Sequence, residues 1–289
     1  IVPDSKQNSF NICPEEFEKS ITKNTKAAVL THLGGIPFDV IEIKKICNKR
    51  KIFLIEDCAQ AHGSLVNKKQ VGTFGIISTF STMWSKTLST GGSGGLIFTK
   101  NKKMYNKIRS IADRGKPFNK KNFNFRNTQD YLFPSMNFNS DEISCSIGNS
   151  ILKKLPKIIS KRSYIVNLLK KELKKTRTLT GIEFSKFYKP SFFFYTIIID
   201  VSKLRFPKKL FIKALLAEGI PINGDYRDIL FEWKWLKKSK KFSNIQKSKN
   251  AIRLRDNSFN LLFNEKYTSN DVKMIVKAIL KVEKYFCKG

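Results

Sequence analysis

The chain has 289 residues, of which 41% are hydrophobic, so it is long enough to bury the core of one large domain and a smaller one. Its 55 Lys and Arg residues outnumber its 23 Asp and Glu residues and give a formal net charge of +32. The lysines are spread from end to end without an Arg-rich stripe or a zinc-finger spacing, so we do not expect specific nucleic-acid binding. Such a surface would still attract anionic small molecules such as nucleotides.

The cysteine and histidine contents exclude other classes of protein. The five cysteines are odd in number and far apart, with no C-x-x-C pair: Cys13, Cys47, Cys58, Cys145 and Cys287. The chain also has no signal peptide and no long apolar span, so we expect reduced thiols in a soluble cytoplasmic protein without membrane insertion. With only two histidines, His32 and His62, a histidine-based metal site is not expected.

Apolar runs and helical patterns alternate along the first half of the chain. The patterns predict, in chain order, a helix at 14–21, a strand at 27–32, a helix from 38 to about 51, a strand at 51–57, a hairpin at 65–71, strands at 76–81 and 96–99, and a helix at 102–114. A strand, a helix and a strand in succession form a βαβ unit, which requires a parallel sheet with a right-handed crossover. The sequence therefore predicts an α/β fold.

The pattern changes after residue 141. An apolar helical stripe ends near Leu155, and after Pro156 a second helix is expected at 158–173. The strongest strand signal lies at 192–201, followed by a helix at 207–218 and by a last helix whose N-cap is Thr268. We therefore predict a large domain over residues 1–155, and an interdomain helix with a small C-terminal α+β domain over residues 156–289.

Polar residues lie at and just after the ends of two predicted strands. Asp57 ends the strand at 51–57 and precedes Gln60, and Ser81 ends the strand at 76–81 and precedes Lys86. In an open α/β sheet, ligands bind outside the carboxyl ends of the strands. A desolvated lysine can form a Schiff base, and a carboxylate can pair with a pyridinium nitrogen, so this combination suggests pyridoxal phosphate (PLP).

Each of these residues also has a plainer interpretation. Asp57 could be a helix N-cap, because Asp is common where a strand turns into a helix. Gln60 could be exposed to solvent, Ser81 could simply end a strand, and Lys86 could be one surface lysine among many.

The motifs around these residues resemble the DegT/DnrJ/StrS family of PLP-dependent sugar aminotransferases. They are E-D-C-A-Q-A-H-G at 56–63, V-G-T-F-G at 71–75, F-S-T-M-W-S-K at 80–86 and G-G-S-G-G at 91–95. Further likeness, at 31–35, 113–115, 136–148 and 218–221, extends the resemblance over nearly the whole chain. It implies PLP-dependent transferase fold type I, with a mostly parallel sheet flanked by helices, a smaller C-terminal α+β domain, and residues 1–155 as the PLP-binding domain.

The resemblance also implies a role for each site residue. Lys86 would form the Schiff base with PLP and shuttle protons, Asp57 would pair with the pyridinium nitrogen, Gln60 would lie near the ring face, and Ser81 would hold the phosphate. Asn137 matches a family asparagine that reaches a phosphate across a dimer interface, so a homodimer with shared active sites is implied.

Position 86 discriminates within the family, whose sugar dehydratase branch carries histidine there. The implied activity is therefore the transfer of an amino group from glutamate or glutamine to a keto sugar, which we expect to be nucleotide-linked, in surface polysaccharide or related sugar biosynthesis. The particular sugar, the carbon that is aminated and the amino donor stay open, and specificity is expected in residues 116–139 and 222–240.

Two departures from the family pattern bear on this prediction. Asn139 and Ser140 replace the usual arginine and methionine after the family asparagine, which leaves carboxylate recognition undefined. The family's phosphate-binding turn is expected before the first residue of this chain, so we expect an N-terminally incomplete member that binds PLP weakly or not at all by itself. The alternative is a non-catalytic family member that acts as an interaction or dimerisation protein.

Overall fold

The structure is a computed structural model that describes residues 1–226, 229–239 and 248–288. Strands and helices alternate in its first half, as the sequence predicts. The strands are β1 (Ala27–Thr31), β2 (Phe53–Asp57), β3 (Leu65–Val66), β4 (Lys69–Gln70), β5 (Ile77–Ser81) and β6 (Gly95–Phe98). The helices are α1 (Pro14–Ser20), α2 (Val40–Lys49) and α3 (Lys102–Ala112).

Four of these strands form a mixed sheet in the order β1-β2-β5-β6. Strands β1, β2 and β5 are parallel, and β6 is antiparallel to β5. Their register places Thr31 beside Asp57 and Asp57 beside Thr79, so the carboxyl ends of the parallel strands meet at one edge. The predicted βαβ unit is confirmed, and the apolar stripe of α2 is buried against the sheet.

The second half of the chain forms an antiparallel sheet with helices packed against it. Its elements are helix α4 (Glu142–Leu173), strands β7 (Leu179–Gly181), β8 (Tyr188–Lys189) and β9 (Tyr195–Ile199), helix α5 (Lys208–Ala217), strand β10 (Ile222–Asn223), helices α6 (Lys234–Lys238) and α7 (Lys249–Asp256), strand β11 (Ser258–Leu261) and helix α8 (Ser269–Phe286). The sheet order is β10-β11-β9-β7, and helices α4, α5 and α8 contribute side chains to the hydrophobic core beside it. The predicted α+β arrangement is therefore confirmed.

Helix α4 corrects the prediction of two helices separated by Pro156. It is one helix of 32 residues with the proline inside. Proline removes one backbone N–H donor and usually ends or kinks a helix. Here Leu155 is buried before the proline, and Ile165 and Leu169 are buried after it, so tertiary packing holds both parts in one helix. Because α4 crosses the predicted boundary after residue 155, the division into two domains stays a prediction.

Strand β9 is also shorter than the predicted strand at 192–201. Phe192 has a φ of +25°, which is not an extended conformation, and the N–H of Phe193 donates to the carbonyl oxygen of Gly34 at 2.9 Å instead of joining the sheet. Residues 191–194 therefore form a turn that contacts the first half of the chain. In the described parts of the chain, every helix is too short or too polar to cross a lipid bilayer.

Candidate active site

Asp57 lies at the carboxyl end of β2, and its carboxylate is held by two donors. Thr31 Oγ1 donates to Oδ2 at 3.2 Å, and the N–H of Ala59 donates to Oδ1 at 2.9 Å. The residues that follow form turns rather than a helix, so the interpretation of Asp57 as a helix N-cap is wrong. The two donors fix the orientation of the carboxylate at the edge of the sheet.

The neighbouring Glu56 points into the protein and organises the V-G-T-F-G loop. Its carboxylate accepts hydrogen bonds from the N–H groups of Gly72 (2.7 Å), Phe74 (2.8 Å) and Gly75 (2.6 Å). His32 Nε2 lies 3.1 Å from Oε2. Burial by itself raises the pKa of this carboxyl, but the hydrogen bonds from His32 and the backbone hold the pKa below its usual range. The local sequence pattern by itself does not predict this structural role of Glu56.

His32, Glu56 and Cys58 have potential metal ligands within 4.8 Å of one another, and all three are buried. However, the N–H of Phe38 donates to His32 Nδ1 at 3.3 Å, so the ring proton is on Nε2, which donates to Glu56. Burial raises the pKa of the Cys58 thiol, which therefore stays protonated. These hydrogen bonds occupy the histidine nitrogens and the carboxylate, so the cluster is structural.

Lys86 follows β5 in a turn and is half-buried. Its backbone N–H donates to the carbonyl oxygen of Met83 at 2.9 Å, and its amine lies 4.7 Å from the centroid of the Phe193 ring. Burial lowers the pKa of this amine, and the negative charge of Asp57 opposes part of that effect. The structure therefore brings Lys86 within electrostatic reach of Asp57, as the motif order predicts.

Gln60 connects the site to the turn at 191–194. Its Oε1 accepts a hydrogen bond from the N–H of Gly34 at 2.8 Å, and the carbonyl oxygen of Gly34 in turn accepts from Phe193. Gly34 has a φ of +67°, and a Cβ there would lie 3.0 Å from the ring of Phe194, so this close approach requires glycine. The interpretation of Gln60 as a solvated side chain is wrong.

His62 is a buried residue of the site to which the sequence analysis gave no role. Only 2% of it is exposed, and neither ring nitrogen has a hydrogen-bond partner among the described residues. Its pKa is lowered to about 4, chiefly by burial, and the positive charge of nearby Lys86 acts in the same direction. The signal in the sequence was its place in the same motif as Asp57 and Gln60.

Ser81 and Asn137 are less closely tied to Lys86. Ser81 ends β5, where its hydroxyl accepts a long hydrogen bond of 3.4 Å from the N–H of Met83. Asn137 is exposed, accepts from the N–H of Asn139 at 3.1 Å and forms a β-bridge with Asp113. The contacts described for Asn137 stay within its own region, so its role at the site stays a prediction.

Two curated relatives with matching sequences have names that indicate nucleotide-linked sugars. The chain is 33% identical to GDP-perosamine synthase of Escherichia coli O157:H7 over 173 residues, which are 60% of this chain and 45% of that protein. It is 34% identical to GDP-4-keto-6-deoxy-D-mannose 3-dehydratase of Escherichia coli O55:H7 over 165 residues, which are 54% of this chain and 42% of that protein. Each match therefore spans less than half of the relative's length.

Solved structures share the fold over nearly the whole chain. PseC of Helicobacter pylori, an aminotransferase of pseudoaminic acid biosynthesis, superposes with a TM-score of 0.88 at 23% identity and covers 99% of this chain and 74% of its own. The E. coli GDP-4-keto-6-deoxy-D-mannose-3-dehydratase with bound hydrated PLP gives a TM-score of 0.82 at 25% identity, covering 96% of this chain and 73% of its own. The predicted fold class is confirmed.

The family assignment rests on the sequence as a whole. The family model described as the DegT/DnrJ/EryC1/StrS aminotransferase family matches residues 1–280. That range contains Asp57, Gln60, Ser81, Lys86 and Asn137, and it takes in both sheets. The chain therefore belongs to the DegT/DnrJ/EryC1/StrS aminotransferase family.

Proposed function

We propose that the protein is a PLP-dependent sugar aminotransferase, which moves an amino group from glutamate or glutamine to a nucleotide-linked keto sugar in surface polysaccharide or related sugar biosynthesis. The observation that carries this proposal is that the Lys86 amine and the Asp57 carboxylate lie near each other beyond the carboxyl ends of the parallel strands β2 and β5. Burial lowers the pKa of that amine, as a nucleophilic lysine requires. Lysine at position 86 favours amino transfer over dehydration.

The donor set at this edge suits PLP. Lys86 would attach to the cofactor's aldehyde carbon, Asp57 would accept a hydrogen bond from its ring nitrogen and keep that nitrogen protonated, and the Ser81 hydroxyl would donate to its phosphate. Gln60 would lie beside the ring. When bound, PLP supplies an electron sink and also carries the amino group between the two substrates.

The protein's own contribution to the reaction is to hold and move protons. Lys86 is the amine that can take up and return a proton, and it can take one up only in its neutral form, which burial favours. Thr31 and the N–H of Ala59 donate to the Asp57 carboxylate, so the position of its negative charge is fixed. The substrate carbon and the amine would therefore meet in a fixed geometry.

We further propose that the protein forms a homodimer in the cytoplasm. Apolar side chains beside Asn137 are exposed, with Met136, Phe138 and Ile143 at 68%, 63% and 75% of their accessible area, and a second protomer would bury them. The five cysteines form no disulfides, which suits a reducing compartment. The net charge of +32 would attract an anionic nucleotide-linked substrate.

The cofactor test compares the protein with Lys86→Ala and with Lys100→Ala, which removes an exposed lysine outside the site. We expect a visible absorption band on addition of PLP in the wild type and in Lys100→Ala but not in Lys86→Ala. Borohydride reduction should then fix the cofactor on Lys86, which mass spectrometry of the peptides would locate. An identical band in Lys86→Ala would refute the assignment.

The activity test supplies glutamate or glutamine with nucleotide-linked keto sugars and follows the sugar by mass spectrometry. An aminotransferase adds an amino group to the sugar, whereas a dehydratase removes water from it. Loss of water without amination would refute the aminotransferase proposal. A protein that binds no PLP and changes no sugar would favour the non-catalytic alternative.

A further inference from the structure

We propose that Phe193 is a positioning residue for Lys86, and that Arg162 positions Phe193. In this arrangement the turn at residues 191–194 clamps the Lys86 amine against the face of an aromatic ring. The clamp itself is a property of the protein without cofactor, and only its catalytic consequence rests on the proposed function.

The contact between Lys86 and Phe193 has the geometry of a cation–π interaction. The amine nitrogen lies 4.7 Å from the ring centroid, inside the roughly 6 Å limit at which a ring face attracts an ammonium group. The Asp57 carboxylate also favours the ammonium form, whereas burial keeps His62 neutral near pH 7. The Arg162 guanidinium is a positive charge on the same turn, where it donates to the carbonyl oxygen of Phe193. Removal of the ring therefore withdraws one of two groups that stabilise the charged amine.

Backbone hydrogen bonds to the first half of the chain fix the turn. The N–H of Phe193 donates to the carbonyl oxygen of Gly34 at 2.9 Å, and the N–H of Ser191 donates to that of Gly35 at 3.2 Å. Ser64 Oγ donates to Ser191 Oγ at 2.8 Å, and both serines are buried. Phe193 and Gln60 are therefore both hydrogen-bonded to the backbone of Gly34, which fixes the position of the Phe193 ring.

Arg162 fixes the turn from the other side. It lies on α4, is 7% exposed, and donates from Nη1 to the carbonyl oxygens of Phe192 at 3.0 Å and Phe193 at 3.3 Å. Its Nε lies 3.5 Å from a carboxylate oxygen of Glu265. Phe192 has a φ of +25°, and a non-glycine residue keeps such a conformation only where its surroundings enforce it. The hydrogen bond from Arg162 to the carbonyl oxygen of Phe192 helps to hold this conformation.

The clamp has a consequence for catalysis if the proposed function is correct. Lys86 would hold PLP and would also take up and return a proton, so its amine would need a defined position when it is not attached to the cofactor. A flexible lysine side chain that is released into solvent loses this position. The ring of Phe193 gives the released ammonium group a fixed resting place beside the site.

The test measures the protonation of Lys86 in cofactor-free protein by competitive acetylation from pH 7 to 11, with the modified peptides quantified by mass spectrometry. Phe193→Leu keeps an apolar side chain but removes the ring face, and Phe193→Tyr keeps the ring. At a pH below the titration midpoint, we expect the unprotonated fraction of Lys86 to rise about two- to fivefold in Phe193→Leu and to stay unchanged in Phe193→Tyr. Lys170, which lies 4.0 Å from the ring centroid of Phe184, serves as an internal reference that should not change.

The role of Arg162 is tested with Arg162→Lys, which keeps the charge beside Glu265 but loses the planar guanidinium. We expect Lys86 to shift in the same direction as in Phe193→Leu, and the double variant to shift no further than Phe193→Leu alone. Additive shifts would refute the action of Arg162 through Phe193.

An unchanged midpoint in Phe193→Leu would overturn the clamp. A change in the maximal labelling rate alone would also overturn it, because the ring would then only shield the amine from the reagent. These results do not depend on PLP, so failure of the cofactor test leaves them interpretable, and failure of the clamp leaves the proposed function intact.

Discussion

The burial of His62 predicts a loss of stability in mildly acidic solution. Burial lowers the pKa of His62 from about 6.5 to about 4, so the unfolded chain binds a proton more tightly than the folded protein does. A histidine with a lowered folded pKa destabilises the fold as the pH falls from about 6.5 towards about 4. At 1.36 kcal/mol per pKa unit, the full effect is about 3 kcal/mol, of which about 2 kcal/mol develops between pH 7 and pH 5.

The assay is urea unfolding at pH 7, 6 and 5, with His62→Phe as the matched variant. The variant removes the titrating ring but retains an aromatic side chain beside Phe80, which His62 contacts at a centroid distance of 5.7 Å. Burial also lowers the pKa of His32, the only other histidine, but that effect is common to both proteins. The difference between the two free energies of unfolding should therefore change by about 2 kcal/mol between pH 7 and pH 5. Parallel pH profiles would show that His62 is not held neutral by burial.

Three further substitutions test the structure by urea unfolding at pH 7. Thr268→Ala removes a capping box in which Thr268 and Asp271 bond each other's backbone N–H groups, and it should cost about 1 kcal/mol. Leu215→Ala at a fully buried position should cost about 2–5 kcal/mol, and an effect below 1 kcal/mol would contradict its place in the core. Glu56→Gln leaves an amide group facing the backbone donors of the V-G-T-F-G loop and should cost about 3 kcal/mol or more, whereas wild-type stability would contradict the hydrogen-bond network.

Local signals were sufficient to predict most of the fold. The stripe of α2 has a helical period, and the short apolar runs that precede Asp57 and Ser81 are typical of buried strands, so these elements could be located to within a few residues. The helix cap at Thr268 could also be predicted, because its partner Asp271 is three residues away. The predicted break at Pro156 was wrong, because tertiary packing before and after the proline outweighs its tendency to end a helix.

The candidate site could be predicted only in part. Motif order singled out Asp57, Gln60 and Lys86, because Asp57 ends a strand and the other two follow a strand end within a few residues. Phe193 and Arg162 could not be found in the same way, since Phe193 lies 107 positions after Lys86 and meets it only through the turn at 191–194. A phenylalanine in an apolar run is predicted to belong to a strand. Phe192 instead has a positive φ, which tertiary hydrogen bonds hold in place, so the strand begins only after residue 194.

The arrangement around Gly34 explains why the site depends on both halves of the chain. The N–H of Gly34 donates a hydrogen bond to Gln60 Oε1, and the carbonyl oxygen of Gly34 accepts one from the N–H of Phe193. The N-terminal half thus supplies the charged groups, and the C-terminal half supplies the aromatic surface that meets the lysine. A change in the position of one half relative to the other would move Phe193 away from Lys86 while leaving Asp57 in place. The resulting loss of the ring contact would alter the charge of the amine without altering the carboxylate, so the packing between the halves is itself part of the chemistry of the site.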